Sequence, residues 1–302
     1  MSLSSPLMTI FLLIFVGILC CKKKIFNKSH LDGFEILLFR IIMPSYLFSA
    51  TYKHDLSSLF NIPYIAAYLI TFAILAMIAT LFCIRTMRRE VVCIRILASG
   101  YINTAMYALP VITILLKDPT AAIIGNIVQV VIIQPIFISY LNSIHHADSS
   151  IIKKIIAILV NPVIIMPIIG ITLNALHIPL PEPVVTALTQ VGSGTASIAL
   201  LAFGFTVGAT TITKKCLTFN LLSLVCAKNI LHPLIALCVA YVMKLDSYWF
   251  LSLIIATSAP TAFVVYLISK QFSVEEHLLK QAVTLSSMIS IISLIFIAMC
   301  VK

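Results

Sequence analysis

Apolar runs long enough to cross a lipid bilayer follow one another almost without pause along this chain, and no other property narrows its possible folds so far. A helix needs about 20 apolar residues to cross the hydrocarbon. Segments of that kind fall at about 3–21, 33–51, 61–84, 91–115, 121–143, 152–177, 184–209, 218–243, 247–269 and 278–301. Inside lipid every backbone amide and carbonyl must find a partner within the protein, and runs of this length satisfy that demand as helices. The expected fold is an all-α membrane protein with ten transmembrane helices. At 61% hydrophobic and 10% charged residues, with a mean hydropathy of +1.13, the composition excludes an ordinary soluble domain.

Two of the ten segments are interrupted. Arg95 to Asp118 reads RILASGYINTAMYALPVITILLKD, with Gly100, Asn103, Thr104 and Pro110 inside an otherwise apolar run. About 157 residues later, IIATSAPTAFVVYLISK carries Thr257, Ser258 and Thr261 around Pro260. Broken backbone at membrane depth survives only where protein buries it or where it lines a watery cavity. Paired interrupted spans are the best pointer in a sequence to a carrier's binding site.

The two breaks occupy matching places in a weak internal repeat. Val16-Gly17-Ile18 aligns with Ile169-Gly170-Ile171, and Pro44 with Ser197, at an offset of 153. Asn103-Thr104-Ala105 aligns with Pro260-Thr261-Ala262, and Asp118 with Glu275, at an offset of 157. Each unit holds five spans, an odd number, so the second would enter the membrane from the opposite side. The expected organisation is therefore two inverted five-helix repeats, residues 1–148 and 149–302, with helices four and nine broken and crossing.

The formal net charge of +10 would suggest nucleic acid in a soluble protein, but its distribution describes a topology. Lys22, Lys23, Lys24, Lys28, Arg85, Arg88, Arg89, Arg95, Lys153, Lys154, Lys214, Lys215, Lys270 and Lys280 lie in or beside the odd-numbered loops, against Lys53, Lys117 and Lys244 in the even ones. By the positive-inside rule the odd loops are cytoplasmic and both termini face outside, so no nucleic-acid partner is expected. The first apolar run has its positive charges after it and no small-residue cleavage site, and reads as a span rather than a signal peptide. Trp249 is expected as an interfacial anchor, HIPLPEPV (177–184) as a stiff external turn, and the scattered cysteines as ordinary packing.

Charged residues within membranes are functional hypotheses by default; here they are Glu35, Arg40, Arg95 and Lys228. Arg40 and Arg95 are close enough to the cytoplasmic side to snorkel or pair at a helix end, whereas Lys228 lies deeper, beside Asn229. No carboxylate pair, metal-ligand set or nucleophile with its base falls at plausible depth. That argues against an enzyme, a bound metal and a cofactor. What remains is neutral and polar: Asn103, Thr104 and Tyr107 with Pro110 at the first break, Thr257, Ser258 and Thr261 with Pro260 at the second. Asn126, Gln129 and Gln134 mark one side of the fifth span. Amides freed at the start of a half-helix carry the positive end of its dipole and bind carboxylates. The substrate-binding residues expected are thus Asn103, Thr104, Tyr107, Pro110, Thr257, Ser258, Pro260 and Thr261, with Lys228 and Arg40 as candidate intramembrane charges. Gln129 and Gln134 are expected to bond between helices.

Five segments, NTAMYALP (103–110), NPVIIMPIIGITLNALHIPLP (161–181), SIALLAFGFTVG (197–208), KNILHPL (228–234) and SAPTAFVVYLISKQFS (258–273), stand in the order found in one group of carriers. On these the chain resembles the auxin efflux carrier family, which includes bacterial malonate and malate permeases and the plant PIN-FORMED transporters. The resemblance implies a ten-helix inverted repeat in which spans four and nine cross at the site. It also implies a scaffold of spans one, two, six and seven and elevator-like alternation. Family members often have glycine at the positions of Ala105 and Ala108 and asparagine at that of Val264, so a tighter and less polar site is implied here.

The expected function is secondary transport of small organic anions, mono- or dicarboxylates, across a plasma membrane such as a bacterial inner membrane. H+ or Na+ is the candidate coupling ion and a homodimer the candidate assembly. The alternatives are a sodium-coupled symporter of the bile-acid type and a membrane sensor that binds a metabolite without moving it. A cysteine placed at Ser149, in a variant whose eight native cysteines are replaced, is expected to resist membrane-impermeant thiol reagents added to intact cells. Ready labelling there would overturn the topology and the inversion with it.

Overall fold

The structure, a computed structural model of the chain, describes residues 4–25, 28–53, 56–83, 87–144, 160–209 and 217–300. Arg85, Lys153, Lys154, Lys214, Lys215 and Cys216 lie outside the described residues, as do the stretch from His145 to Ser150, where the two units were expected to meet, and the first part of the span expected at 152–177.

Among the described residues seven helices are long and apolar enough to cross a membrane: Ser5–Lys22, Ser29–Lys53, Ile62–Cys83, Thr120–Ile144, Glu182–Gly208, Phe219–Val242 and Glu276–Ile295. The other three expected spans differ for physical reasons. The segments at 91–115 and 247–269 are each split into two half-helices, and the described part of 152–177 is the shorter apolar helix Pro162–Ala175.

In chain order, α1 is Ser4–Lys22, and α2, Lys28–Leu37, continues through a π-helical turn, Leu38–Ile42, into α3, Met43–Lys53. After a single turn at Leu56–Leu59, α4 runs over Ile62–Cys83 and α5 over Arg89–Gly100. A second π-helical turn, Thr104–Ala108, leads into α6, Leu109–Leu116. Helix α7, Thr120–Ile127, passes through Val128–Ile133, again π-helical, into α8, Gln134–Ile144. Then come α9, Pro162–Ala175, α10, Glu182–Ser193, and α11, Thr195–Gly208. Helix α12, Phe219–Cys226, joins α13, His232–Val242, through a fourth such turn, Ala227–Leu231. The last three are α14, Ser247–Ser258, α15, Phe263–Gln271, and α16, Glu276–Cys300.

The four π-helical turns have a common cause in the sequence. Pro44, Pro110, Pro135 and Pro233 each lie two residues beyond the end of one of them. Proline cannot donate to the carbonyl four residues back, and its ring pushes against that carbonyl. Widening the preceding turn to the i→i+5 pattern relieves the clash and keeps the neighbouring amides bonded, which is how helices in lipid tolerate proline.

Two close helix pairs, α1 with α11 and α3 with α9, form one side of the protein, with α10 against α3. Both pairs depend on glycine for backbone-to-backbone approach. A Cβ on Gly17 would lie 2.2 Å from the Leu201 carbonyl oxygen and 2.9 Å from the Phe205 nitrogen; one on Gly170 would lie 2.8 Å from the Phe48 oxygen and 3.2 Å from the Tyr52 nitrogen. Tyr52 also pins the proline-rich turn after α9, donating to the Ile178 carbonyl and accepting from the Leu180 amide. On the other side α4 packs on α13 and α5, α13 on α14, and α15 and α12 on α16. Trp249 packs against Tyr64 and Tyr248, with ring centroids 5.0 and 4.9 Å away. The two sides meet where α11 lies against α6 and the turn before it.

Substituting Gly17 or Gly170 by valine is expected to destabilise the protein by about 1–3 kcal/mol or more, the usual range for overpacking. Gly33→Ala, where an added Cβ meets nothing within 4 Å, should leave the melting temperature unchanged. Thermal unfolding of the three purified variants in detergent checks the contrast.

Candidate functional site

The two half-helix pairs cross where both chains are extended. Ile102 and Thr261 form an isolated antiparallel β-bridge, in which the Asn103 amide donates to the Pro260 carbonyl at 2.8 Å and the Ala262 amide to the Tyr101 carbonyl at 3.2 Å. Helices α5 and α14 end at this point and α6 and α15 begin after it. Two negative helix ends and two positive ones therefore converge on a few residues.

Most polar side chains expected here complete the backbone bonding of the break. Gln129 accepts from the Ile102 amide and donates to the Ile102 carbonyl and the Thr104 hydroxyl. On the opposite strand the Ser286 hydroxyl accepts from the Thr261 amide at 3.1 Å, and the Thr261 hydroxyl donates to the Ala98 carbonyl at 2.6 Å, capping the end of α5. Thr257 donates to Leu253 in its own helix, and the Tyr107 hydroxyl donates to the Ser290 carbonyl at 2.6 Å, with its ring edge-on to Phe203. Ser258 is buried near the end of α14, Pro260 supplies the carbonyl that Asn103 uses, and Pro110 lies in the first turn of α6. Tyr101 donates to Gln134 at 2.7 Å, so both glutamines bond between helices as expected.

Asn103 and Asn126 stand apart from this pattern. Asn103 is half-buried, and its side-chain oxygen accepts from the Met106 amide, opening the π-helical turn; its amide nitrogen meets no acceptor among the described residues. Asn126 is half-buried with no hydrogen-bond partner among them, and it faces a crevice lined by Met43, Leu47, Thr104, Ala105 and Leu109 that is too narrow here to hold a water molecule. That cleft lies between α3 and the break. The sequence placed Asn126 on a polar helix side with Gln129 but did not join it to the site, because only the tertiary fold separates the asparagine facing the cleft from the glutamine buried against backbone. A larger cavity of about 650 Å3 lies elsewhere, between α1, α2 and α11, and its lining is largely apolar.

The intramembrane charges fall into three settings. Arg40 is exposed on the surface of its π-helical turn and is not part of the crossing. Arg95 forms a bidentate pair with Glu275, at 2.8 and 2.7 Å, tying α5 to the turn before α16; Glu275 holds a left-handed φ of 50° to do so. Lys228 has no exposed surface. Its ammonium donates to the Thr257 carbonyl at 2.9 Å and lies 3.1 Å from His232 Nδ1. No carboxylate lies within ion-pair distance of it among the described residues. The neighbouring Asn229 donates to the Ser286 carbonyl and the Ser290 hydroxyl, while its buried oxygen meets no donor. No cluster of histidine, cysteine and acidic residues among the described residues could hold a metal.

A polytopic helical protein with two broken helices crossed at their midpoints belongs to the class of membrane transport proteins. The family model for membrane transport proteins, the auxin efflux carrier family, matches residues 147–298, half of the 302-residue chain, and the chain belongs to this family. No curated protein matches the sequence.

Replacing Gln129 by leucine is expected to leave the buried Ile102 amide without a partner, a loss worth about 1–3 kcal/mol. The measured consequence should be a lower melting temperature of the ligand-free protein, larger than that of Asn126→Leu at the neighbouring cleft.

Proposed function

We propose that the protein is a secondary carrier of small organic anions, mono- or dicarboxylates, with two inverted five-helix repeats of ten spans in all and elevator-like alternation between the sides of a plasma membrane. The observation that carries the reading is the crossing itself. The turn that opens the second half of the first broken span, Thr104–Ala108, and the start of α15 leave backbone amides short of acceptors within their own helices. Thr104 and Ala105, next in sequence to Asn103, border the crevice that Asn126 faces, and such half-helix starts bind the carboxylate of a substrate.

The repeat draws support from contacts that recur at fixed offsets. Gly17 meets Leu201 and Phe205, while Gly170, 153 residues on from Gly17, meets Phe48 and Tyr52, which lie 153 residues before Leu201 and Phe205. Gln129 serves the backbone of Ile102, and Ser286, 157 residues on from Gln129, serves that of Thr261, 159 residues on from Ile102, so this second pair recurs only approximately. An antiparallel bridge has local two-fold symmetry, which suits an axis in the membrane plane. The packing of α1, α3, α9, α10 and α11 on one side fits a scaffold, with the crossing in the moving unit. Within this reading Asn103 and Asn126 contact the ligand, and Thr104, Tyr107, Thr257 and Thr261 hold the broken backbone in shape. The finer substrate, the coupling ion and a homodimer belong to this proposal.

Asn103→Ala and Asn126→Leu are each expected to weaken carboxylate binding about tenfold or more, as the loss of one hydrogen bond to a charged group implies; Asn126→Leu should change the ligand-free melting temperature little, whereas Asn103→Ala should also lower it, because the Met106 amide loses its cap. Thr261→Val should behave oppositely to Asn126→Leu, lowering stability through the uncapped end of α5. Affinity by ligand-induced thermal shift, with malonate and lactate as probes, checks the pair; unchanged affinity in both asparagine variants would remove the cleft as the anion site.

A further inference from the structure

Lys228 is the feature of this interior that the anion reading leaves unused. It is fully buried, and its ammonium lies against the carbonyl of Thr257, in the last turn of α14 where that half-helix stops at the crossing. Carbonyls at the C-terminal ends of broken helices carry the negative end of the dipole, and in cation-coupled carriers such ends coordinate the coupling ion. The other half-helix end at this crossing is treated differently. There the Ala98 carbonyl receives a neutral hydroxyl from Thr261.

We propose that the Lys228 ammonium is a tethered cation, held at the end of α14 in the place where a coupling metal ion would bind, so that the crossing is charge-balanced without sodium. This rests on the carrier reading and names how its site is regulated. Three observations support it. The ammonium has no carboxylate partner among the described residues, so its charge is directed at backbone and at the site. A second acceptor, His232 Nδ1, orients it from one turn further along the same helical segment. The side chain is fully buried, so its head group is held by these partners inside the protein. The elements packed against this turn are α5, α12, α13, α14 and α16. Their charged or titratable groups include Glu90, Arg95, Cys226, Tyr241, Tyr248, Glu276, His277 and Lys280, and none of these forms a hydrogen bond or ion pair with Lys228. Sodium or a proton bound at a separate place would leave a buried positive charge beside a second one, which lipid disfavours.

The test is a set of thermal melts of the purified full chain without any carboxylate, so that its failure and that of the anion reading are distinguishable. The wild-type melting temperature should be the same in sodium chloride and in N-methyl-D-glucamine chloride. Lys228→Ala should lower it by roughly 5 °C or more, and propylammonium chloride, which can enter the vacated space, should restore much of the loss. Neutral 1-propanol should not. Lys228→Met, which keeps the stem and removes the charge, should be destabilised and beyond rescue by either. A wild-type protein stabilised by sodium over N-methyl-D-glucamine would overturn the proposal, as would a Lys228→Met variant as stable as wild type, or equal rescue of Lys228→Ala by propanol.

Discussion

The structure depends on a short antiparallel pairing between Ile102 and Thr261. In water, two helices broken at their midpoints would satisfy the freed amides with solvent. In lipid they have only each other and a few side chains. The bridge disposes of two amides through Asn103 to Pro260 and Ala262 to Tyr101. Gln129, Ser286 and Thr261 dispose of others. What is left over at the crossing lies at the beginnings of two half-helices and on the side chains of Asn103 and Asn126.

The same scarcity of water explains the construction around the crossing. Helices in lipid gain little from apolar burial against each other and associate through close packing. Gly17 and Gly170 let α1 reach the backbone of α11 and α9 that of α3, making one side rigid. The other side carries three of the four widened turns and both broken helices.

Buried charge is handled with equal economy. Arg95, in the middle of α5, is neutralised by Glu275 in a bidentate pair. Lys228 is given a carbonyl and a histidine nitrogen instead.

Sequence alone determined the class of protein and the places where its helices must fail. Apolar runs of bilayer length require helices, and the polar and proline-bearing stretches around Asn103 and Pro260 interrupt them, so all-α architecture and two breaks were legible in local chemistry. The family followed from motifs around those breaks. The sequence could not tell which polar residues serve the backbone and which face the cleft, because their partners lie far along the chain. Thr261 bonds Ala98 at a separation of 163 residues and Tyr107 bonds Ser290 at 183. For the same reason Arg40 and Lys228 were separated in the sequence only by depth along their spans, until folding left one exposed and sealed the other completely. Depth and partnership are properties of packed helices, and only the tertiary structure decided them.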